Sequence, residues 1–167
     1  MDHTHHKAQS PSQVGCGIIT CSDSRTQEND RSGQLIMQLL TAQGHTVERY
    51  EIVKDEPSQI RNAIDQDLAC SSIQAILING GTGVSKRDST YETVSALLDK
   101  RLDGFGELFR FLSYQDIGSS AIMSRATAGV SGGTVIFALP GSEKAVRLAM
   151  EKLILPELGH LIGELGR

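Results

Sequence analysis

The sequence predicts an α/β sandwich, one domain with a mostly parallel sheet. Three observations carry that prediction. Apolar strands and amphipathic helices alternate along most of the chain, the pattern of a sheet covered on both faces. The strands before residue 80 each end in a polar or glycine-rich loop followed by a helix, as parallel pairing requires. The chain has 167 residues and is 39% hydrophobic, enough for a single aliphatic core with few aromatics and no Trp.

The elements follow in order. Val14 to Thr20 reads as an apolar strand, closed by the polar loop Ser22 to Arg31. A helix from about Ser32 to Gln43 buries Leu35, Ile36, Leu39 and Leu40, and Gly44 ends it. His45 to Val53 is a second strand, and Asp55-Glu56-Pro57 opens a helix with Pro in its first turn. Ile60, Ile64 and Leu68 form that helix's inner stripe. Ile73 to Ile78 is a short strand running into Gly80-Gly81-Thr82-Gly83, with a third helix from Tyr91 to Arg101. Phe105 to Met123 reads as helix broken near Gly118. A hairpin turns at Gly132-Gly133, and its second arm, Thr134 to Leu139, is a buried strand. Leu139-Pro140-Gly141-Ser142 closes it; helices follow over Glu143 to Leu153 and from Pro156 to Leu165. Residues 1–12 read as a disordered polar tail and 13–167 as the domain.

Composition narrows the function. A formal charge of −4 argues against a nucleic-acid partner. No apolar run approaches the ~20 residues of a membrane span, and the first residues lack a signal-peptide core, so a cytoplasmic location is expected. Cys16, Cys21 and Cys70 show no metal-ligand spacing, and Cys16 and Cys21 read as small buried hydrophobes. His3, His5 and His6 form at most an adventitious metal-binding tail.

The chemistry concentrates at Ile78 to Thr90. Glycines after a strand let backbone N–H groups approach an anion without a Cβ in the way. Lys86 and Arg87 offer countercharge, and Asp88 stands where a magnesium–phosphate group needs an oxygen ligand. Asp88 or Ser89 can equally be a helix N-cap, as can Asp55 and Asp30. With parallel strands, Ser22 to Ser32, Lys54 to Glu56, Gly80 to Asp88 and Pro140 to Ser142 all gather on one rim, where such sheets bind ligands.

Seven segments in order then make a family visible: Thr20-Cys21-Ser22-Asp23-Ser24-Arg25-Thr26, Asp30-Arg31-Ser32-Gly33, Val53-Lys54-Asp55-Glu56, Gly80-Gly81-Thr82-Gly83 with Arg87-Asp88-Ser89-Thr90, Gly104-Phe105-Gly106-Glu107, Ser124-Arg125-Ala126, and Leu139-Pro140-Gly141-Ser142. From about Val14 to Leu165 the chain resembles the molybdenum-cofactor biosynthesis B/Mog family, closer to its B-type, MoaB-like branch. The resemblance implies a three-layer α/β/α sandwich around a mixed five-stranded sheet, and assembly into trimers or hexamers. It implies a molybdopterin adenylyltransferase, a nucleotidyltransferase that moves AMP from ATP to the pterin's terminal phosphate with Mg²⁺ as cofactor. The catalytic and magnesium-binding candidates are Asp55 and Asp88. Candidates for holding molybdopterin or phosphate are Ser22, Asp23, Asp30, Ser32, Gly33, Gly80, Gly81, Thr82, Gly83, Ser124, Pro140, Gly141 and Ser142. Expected partners are the small-molecule pterin and nucleotide, further copies of the chain, and other molybdenum-cofactor enzymes, with no nucleic acid and no membrane.

Lys86, Tyr91 and Glu143 stand where the family often has Pro, which bears on loop rigidity rather than reaction class. Two alternatives remain at this level. One is a molybdopterin- or nucleotide-binding carrier without transferase activity. The other is a flavodoxin-like electron carrier, disfavoured because a flavin ring is commonly stacked on Trp or Tyr. Phe105, Leu108, Phe109 and Leu112 lie at helical spacing, and that surface, with Ser119 to Arg125, is expected to meet a neighbouring subunit.

Overall fold

A computed structural model of the chain describes residues 10–167. His3, His5, His6 and most of the predicted tail lie outside the described residues. The sheet has six strands: β1 (Gly15–Cys21), β2 (Thr46–Val53), β3 (Ala75–Asn79), β4 (Lys100–Arg101), β5 (Thr127–Ser131) and β6 (Thr134–Leu139). Their order is β2-β1-β3-β6-β5-β4. The first four in that order run parallel, and β5 and β4 add an antiparallel edge. The helices are α1 (Arg31–Ala42), α2 (Pro57–Leu68), α3 (Thr90–Ser95), α4 (Asp103–Ile117), α5 (Glu143–Ala149) and α6 (Leu155–Leu165).

Alternation along the central strands sorts the core into two layers. Ile18, Leu77, Val135 and Phe137 face α1, α4, α5 and α6, where they join Leu35, Ile36, Leu40, Phe109, Val146 and Leu158. Ile19, Ile76, Ile78 and Ile136 face α2 and α3, against Ile60, Ile64 and Val94. Every residue of β1, β3 and β6 is buried, as expected for strands covered on both sides. The result is the three-layer α/β/α sandwich.

Three departures from expectation have physical causes. The sheet holds six strands rather than five because the predicted helix to Arg101 stops at Ser95. The Asp99 N–H donates to the Val130 carbonyl at 2.8 Å and Asp99 Oδ2 accepts from the Gly132 N–H at 2.8 Å, so the chain is captured at the sheet edge. Lys100 and Arg101 then pair with Val130 and Gly129. The helix predicted over Glu143 to Leu153 ends earlier, in a π turn (Met150–Ile154) where the Leu155 N–H reaches the Met150 carbonyl. Pro156, with no N–H of its own, follows directly. Finally, Phe109 is in the core, and Phe105 stacks beside it and meets Phe137 edge-on, with centroids 6.4 and 5.3 Å away. The exposed apolar face of α4 is instead Leu108, Phe111, Tyr114 and Ile117, continued by Ile122 and Met123 of the 3-10 segment Gly118–Met123.

The hairpin is as predicted. Gly132 and Gly133 adopt φ of 55° and 84°, the left-handed pair that a two-residue turn between twisted strands needs. Among the described residues no helix is long and apolar enough to cross a membrane.

Candidate active site

The four parallel strands deliver their carboxyl ends to one edge. Cys21 lies beside Val53, Thr20 beside Asn79 and Asn79 beside Leu139. The following loops are stitched at once: the Ser22 N–H donates to the Val53 carbonyl at 2.8 Å, and the Gly80 N–H to the Leu139 carbonyl at 3.0 Å.

Beneath this rim lies a buried polar network centred on Asp30, which is 0% exposed. Its Oδ2 accepts from the Thr20 and Tyr50 hydroxyls, both at 2.6 Å, and its Oδ1 accepts from the Gly33 N–H at 3.0 Å, capping α1. Asn79 Nδ2 donates to Thr20 Oγ1 at 2.8 Å. Arg25 reaches over the network to Asp30 and Asn79 at 3.4 Å each, and donates to the Gly141 carbonyl at 2.6 Å. Ser32 Oγ donates to the same carbonyl at 2.7 Å. Asp30, Ser32 and Gly33 therefore sit below the surface the ligand would meet and shape it from behind. Burial, with Asp30 beside it, pushes the Tyr50 phenol well above its ordinary value.

The glycine turn is held by close approach. Gly80 has φ 96°, and a Cβ there would lie 2.2 Å from the Cys21 carbonyl. Gly81 has φ 68°, and a Cβ there would meet Thr90 Oγ1 at 2.3 Å and Asp55 Oδ1 at 3.0 Å. The Gly80 N–H is committed to β6, so it is not the phosphate donor expected from sequence. The amides of Gly81, Thr82 and Gly83 find no acceptor among the described residues. Thr82 itself is buried.

Asp55 and Asp88 converge here, and neither caps a helix. The N-caps of α2 and α3 are Glu56 and Ser89. Asp88 Oδ2 accepts from the Ser85 N–H at 2.8 Å, shaping its own loop. Asp55 Oδ1, Ser89 Oγ and Thr90 Oγ1 are buried, with no hydrogen-bond partner among the described residues. Burial, first, and then the charges of Asp23 and Asp88 raise the Asp55 carboxyl above its ordinary value, with Arg87 opposing. Arg87 is not available as countercharge for a phosphate: it clasps Asp23 at 2.9 and 3.0 Å and Glu56 at 2.6 Å. That clasp holds Asp23 below the usual carboxylate range, and Asp23 Oδ1 accepts from the Asp55 N–H at 3.2 Å. Burial pushes the Cys21 thiol up to about 12, so it stands beside Thr90 and Asp55 as a neutral neighbour.

Hard oxygens with an unpartnered buried carboxylate atom suit Mg²⁺. No group of three or more His, Cys, Asp or Glu gathers among the described residues. Two carboxylates are nonetheless what a Mg²⁺ shared with substrate phosphates requires, because that ion keeps waters and phosphate oxygens in its shell.

Residues 17–160 match the sequence model of the family described as "Probable molybdopterin binding domain". The chain is 56% identical to the molybdenum cofactor biosynthesis protein B of Bacillus cereus over 168 aligned positions, covering 100% of this chain and 99% of that one. The Bacillus subtilis protein of the same name is 49% identical, covering 99% and 98%. The fold agrees: a crystal structure of molybdenum cofactor biosynthesis protein B superposes with a TM-score of 0.92, at 56% identity and over 95% of this chain and 99% of that one. The tungsten cofactor synthesizing protein MoaB from Pyrococcus furiosus gives 0.86 at 34% identity, over 95% and 100%. The chain belongs to this family.

Within the family fold the predicted site residues divide. Ser22, Asp23, Asp55, Gly80, Gly81, Gly83, Asp88, Pro140 and Gly141 lie at or just behind one rim, beside a hollow of about 500 Å³ lined by Ser22, Asp23, Arg25, Tyr50 and Lys54. Ser142 follows Gly141 and caps α5 through the Ala145 N–H at 3.2 Å. Ser124 lines a separate hollow of about 280 Å³ across the glycine loop. Sequence reasoning passed over Thr20, Arg25, Tyr50 and Asn79. Arg25 lay within a quoted motif, but its reach to Gly141 depends on the position of β6.

Proposed function

We propose that the chain adenylylates the terminal phosphate of molybdopterin, using ATP and Mg²⁺ and releasing pyrophosphate. Family membership ties it to molybdenum-cofactor biosynthesis. The observation that carries the finer reading is the meeting of Asp55 and Asp88 over the glycine turn, with Arg87 spent on Asp23 and Glu56. Two carboxylates facing a triphosphate repel it unless a divalent cation lies between them.

In the reaction a phosphate oxygen of molybdopterin attacks the α-phosphorus of ATP, and the bond from that phosphorus to the β-phosphate oxygen breaks. Mg²⁺, when bound, supplies charge neutralisation for the phosphates and the departing pyrophosphate. Asp55 and Asp88 are the residues that would hold it. The amides of Gly81, Thr82 and Gly83 bind phosphate oxygens, and the network of Asp30, Arg25 and Asn79 fixes the turns that carry them. Phosphoryl-type transfer depends on positioning and charge, so no protein nucleophile is needed.

Incubation with molybdopterin and Mg-ATP should give adenylylated pterin. Asp88→Asn should lose that product while remaining folded and keeping the parent's oligomeric state. Calorimetry should show ATP binding better with Mg²⁺ than with EDTA, and Asp55→Ala or Asp88→Ala should erase most of the difference. Equal ATP affinity under every condition would replace the enzyme by a carrier of the pterin.

A further inference from the structure

Residues 10–14 lead into β1 at the opposite end of the strands from the rim. They cross α6, where two glycines one turn apart make their seat. A Cβ on Gly159 would lie 2.6 Å from the Pro11 carbonyl oxygen, and one on Gly163 would touch Ser10 Oγ and Pro11 Cδ at 3.5 Å. Glycine is a poor helix residue, and at Gly159 it lets the backbone of this segment lie directly on the helix. Past α6 the segment enters the core. Val14 is 0% exposed and belongs to the apolar layer that holds Leu158 and Ile162.

The inner end is tied to β2. The Thr46 N–H donates to the Val14 carbonyl at 3.0 Å, and the Val14 N–H donates to His45 Nδ1 at 3.2 Å. That second bond needs a bare Nδ1, so the ring is neutral with its proton on Nε2. His45 is 9% exposed, and its own N–H is anchored to the Leu40 carbonyl at 3.1 Å, at the end of α1. Burial holds the ring below its ordinary value, and no carboxylate pairs with it among the described residues. The titratable groups on the surrounding elements are otherwise engaged. Cys16 of β1 is a neutral thiol, pushed up to about 12 by burial and then by Glu48 of β2. Arg49 of β2 is held by Glu51 and Asp67, α1 has no basic residue in its last turn, and His160 of α6 lies between Glu157 and Glu164.

We propose that residues 10–14 form a strap latched by neutral His45, and that protonation of this one ring unlatches it and bares the glycine face of α6. A protonated Nδ1 is a donor, so the ring and the Val14 N–H would face each other as two buried donors with no acceptor between them. The ring would also be a buried cation without a carboxylate partner. Both costs are relieved when Val14 and the ring part and water enters, and the Thr46 bond to the Val14 carbonyl is lost with them. The sign follows from the burial of His45. The latch is closed above about 6.5, the value of a solvated imidazole, and opens as pH falls through the lower value of the folded chain. Asp55 and Asp88 stand at the other end of the strands, so the device does not depend on the reaction proposed above.

Amide hydrogen exchange of the full chain, followed by NMR from about pH 7.5 to about 4.5 and corrected for the intrinsic effect of pH, reads the latch at Val14 and Thr46. Protection at both amides should fall about tenfold across that range, the scale of one buried hydrogen bond lost. The midpoint should be that of the His45 ring, read from its nitrogen shifts in the same samples. His45→Asn puts an oxygen that does not titrate where Nδ1 stands, and its Val14 amide should stay protected to the acid limit. His45→Leu fills the space without an acceptor and should show low protection already at the upper limit. His160→Gln should behave as the parent, which separates the latch from the histidine on α6. Should a His45 variant fail to fold, the shared midpoint of ring and amide in the parent decides. Constant protection while the ring titrates overturns the proposal, as does a ring that stays neutral throughout. An equal fall of protection in His45→Asn overturns it too.

Discussion

Burial first, and then the charges of Asp23 and Asp88, raise the Asp55 carboxyl above its ordinary value against the opposing charge of Arg87, so folding favours its neutral form over its charged one. The stability given by that neutral form is complete below about 3.9, the value in an unfolded chain, and is lost as pH rises through the folded value. Asn at this position is neutral at every pH. Asp55→Asn should therefore melt at a higher temperature than the parent at pH 7 without ligands, and the gap should close as pH falls toward 4. Thermal denaturation across that range checks it, and a lower melting temperature at pH 7 refutes it. Asp55 was legible in the sequence as either a ligand or a cap. What the sequence did not show is that Glu56 occupies the cap position and leaves Asp55 Oδ1 without a partner. Asp30 was equally ambiguous, and there the cap prevailed, because Thr20 and Tyr50 arrive from two strands to occupy its other oxygen.

The junctions between elements carry as much of the site as the side chains do. Gly80 and Gly44 both adopt left-handed φ, 96° and 84°, but a Cβ at Gly44 meets nothing within 4 Å while one at Gly80 is driven 2.2 Å from the Cys21 carbonyl. Gly44→Ala should cost about 1 kcal/mol, the strain alone. Gly80→Ala should cost at least about 2 kcal/mol, because a neighbouring strand end must also move. Urea denaturation of the two variants compares them, and equal losses would show that the Cys21 contact does not matter. Elements with strong periodicity, such as β1, α1 and α2, were readable because their apolar spacing is local. β4 was not, since its two residues become a strand only when Val130 and Gly132 are there to hold Asp99. The division of α4 into core and outer face was hidden for the same reason: Phe105 turns inward toward Phe137, a residue 32 positions later.

On the molecule as a whole, one apolar face lacks cover among the described residues. Leu108, Phe111, Tyr114 and Ile117 of α4 are 54%, 60%, 62% and 50% exposed, and Ile122 beyond them is 80% exposed. Contiguous apolar surface of this kind commonly marks an interface, and the expected cover is a further copy of the chain in a trimer or hexamer. Phe111→Glu with Ile122→Glu should give a folded monomer by light scattering where the parent is an oligomer. A monomeric parent at micromolar concentration would end that reading. The arrangement of the sheet also sets when the site can exist. β3 pairs with β6 across about sixty residues, Ala75 beside Val135, and the Gly80 N–H has its acceptor only at Leu139. The glycine loop is therefore made about sixty residues before the strand that fixes it, and the ligand pocket is complete only once that long-range pairing has formed.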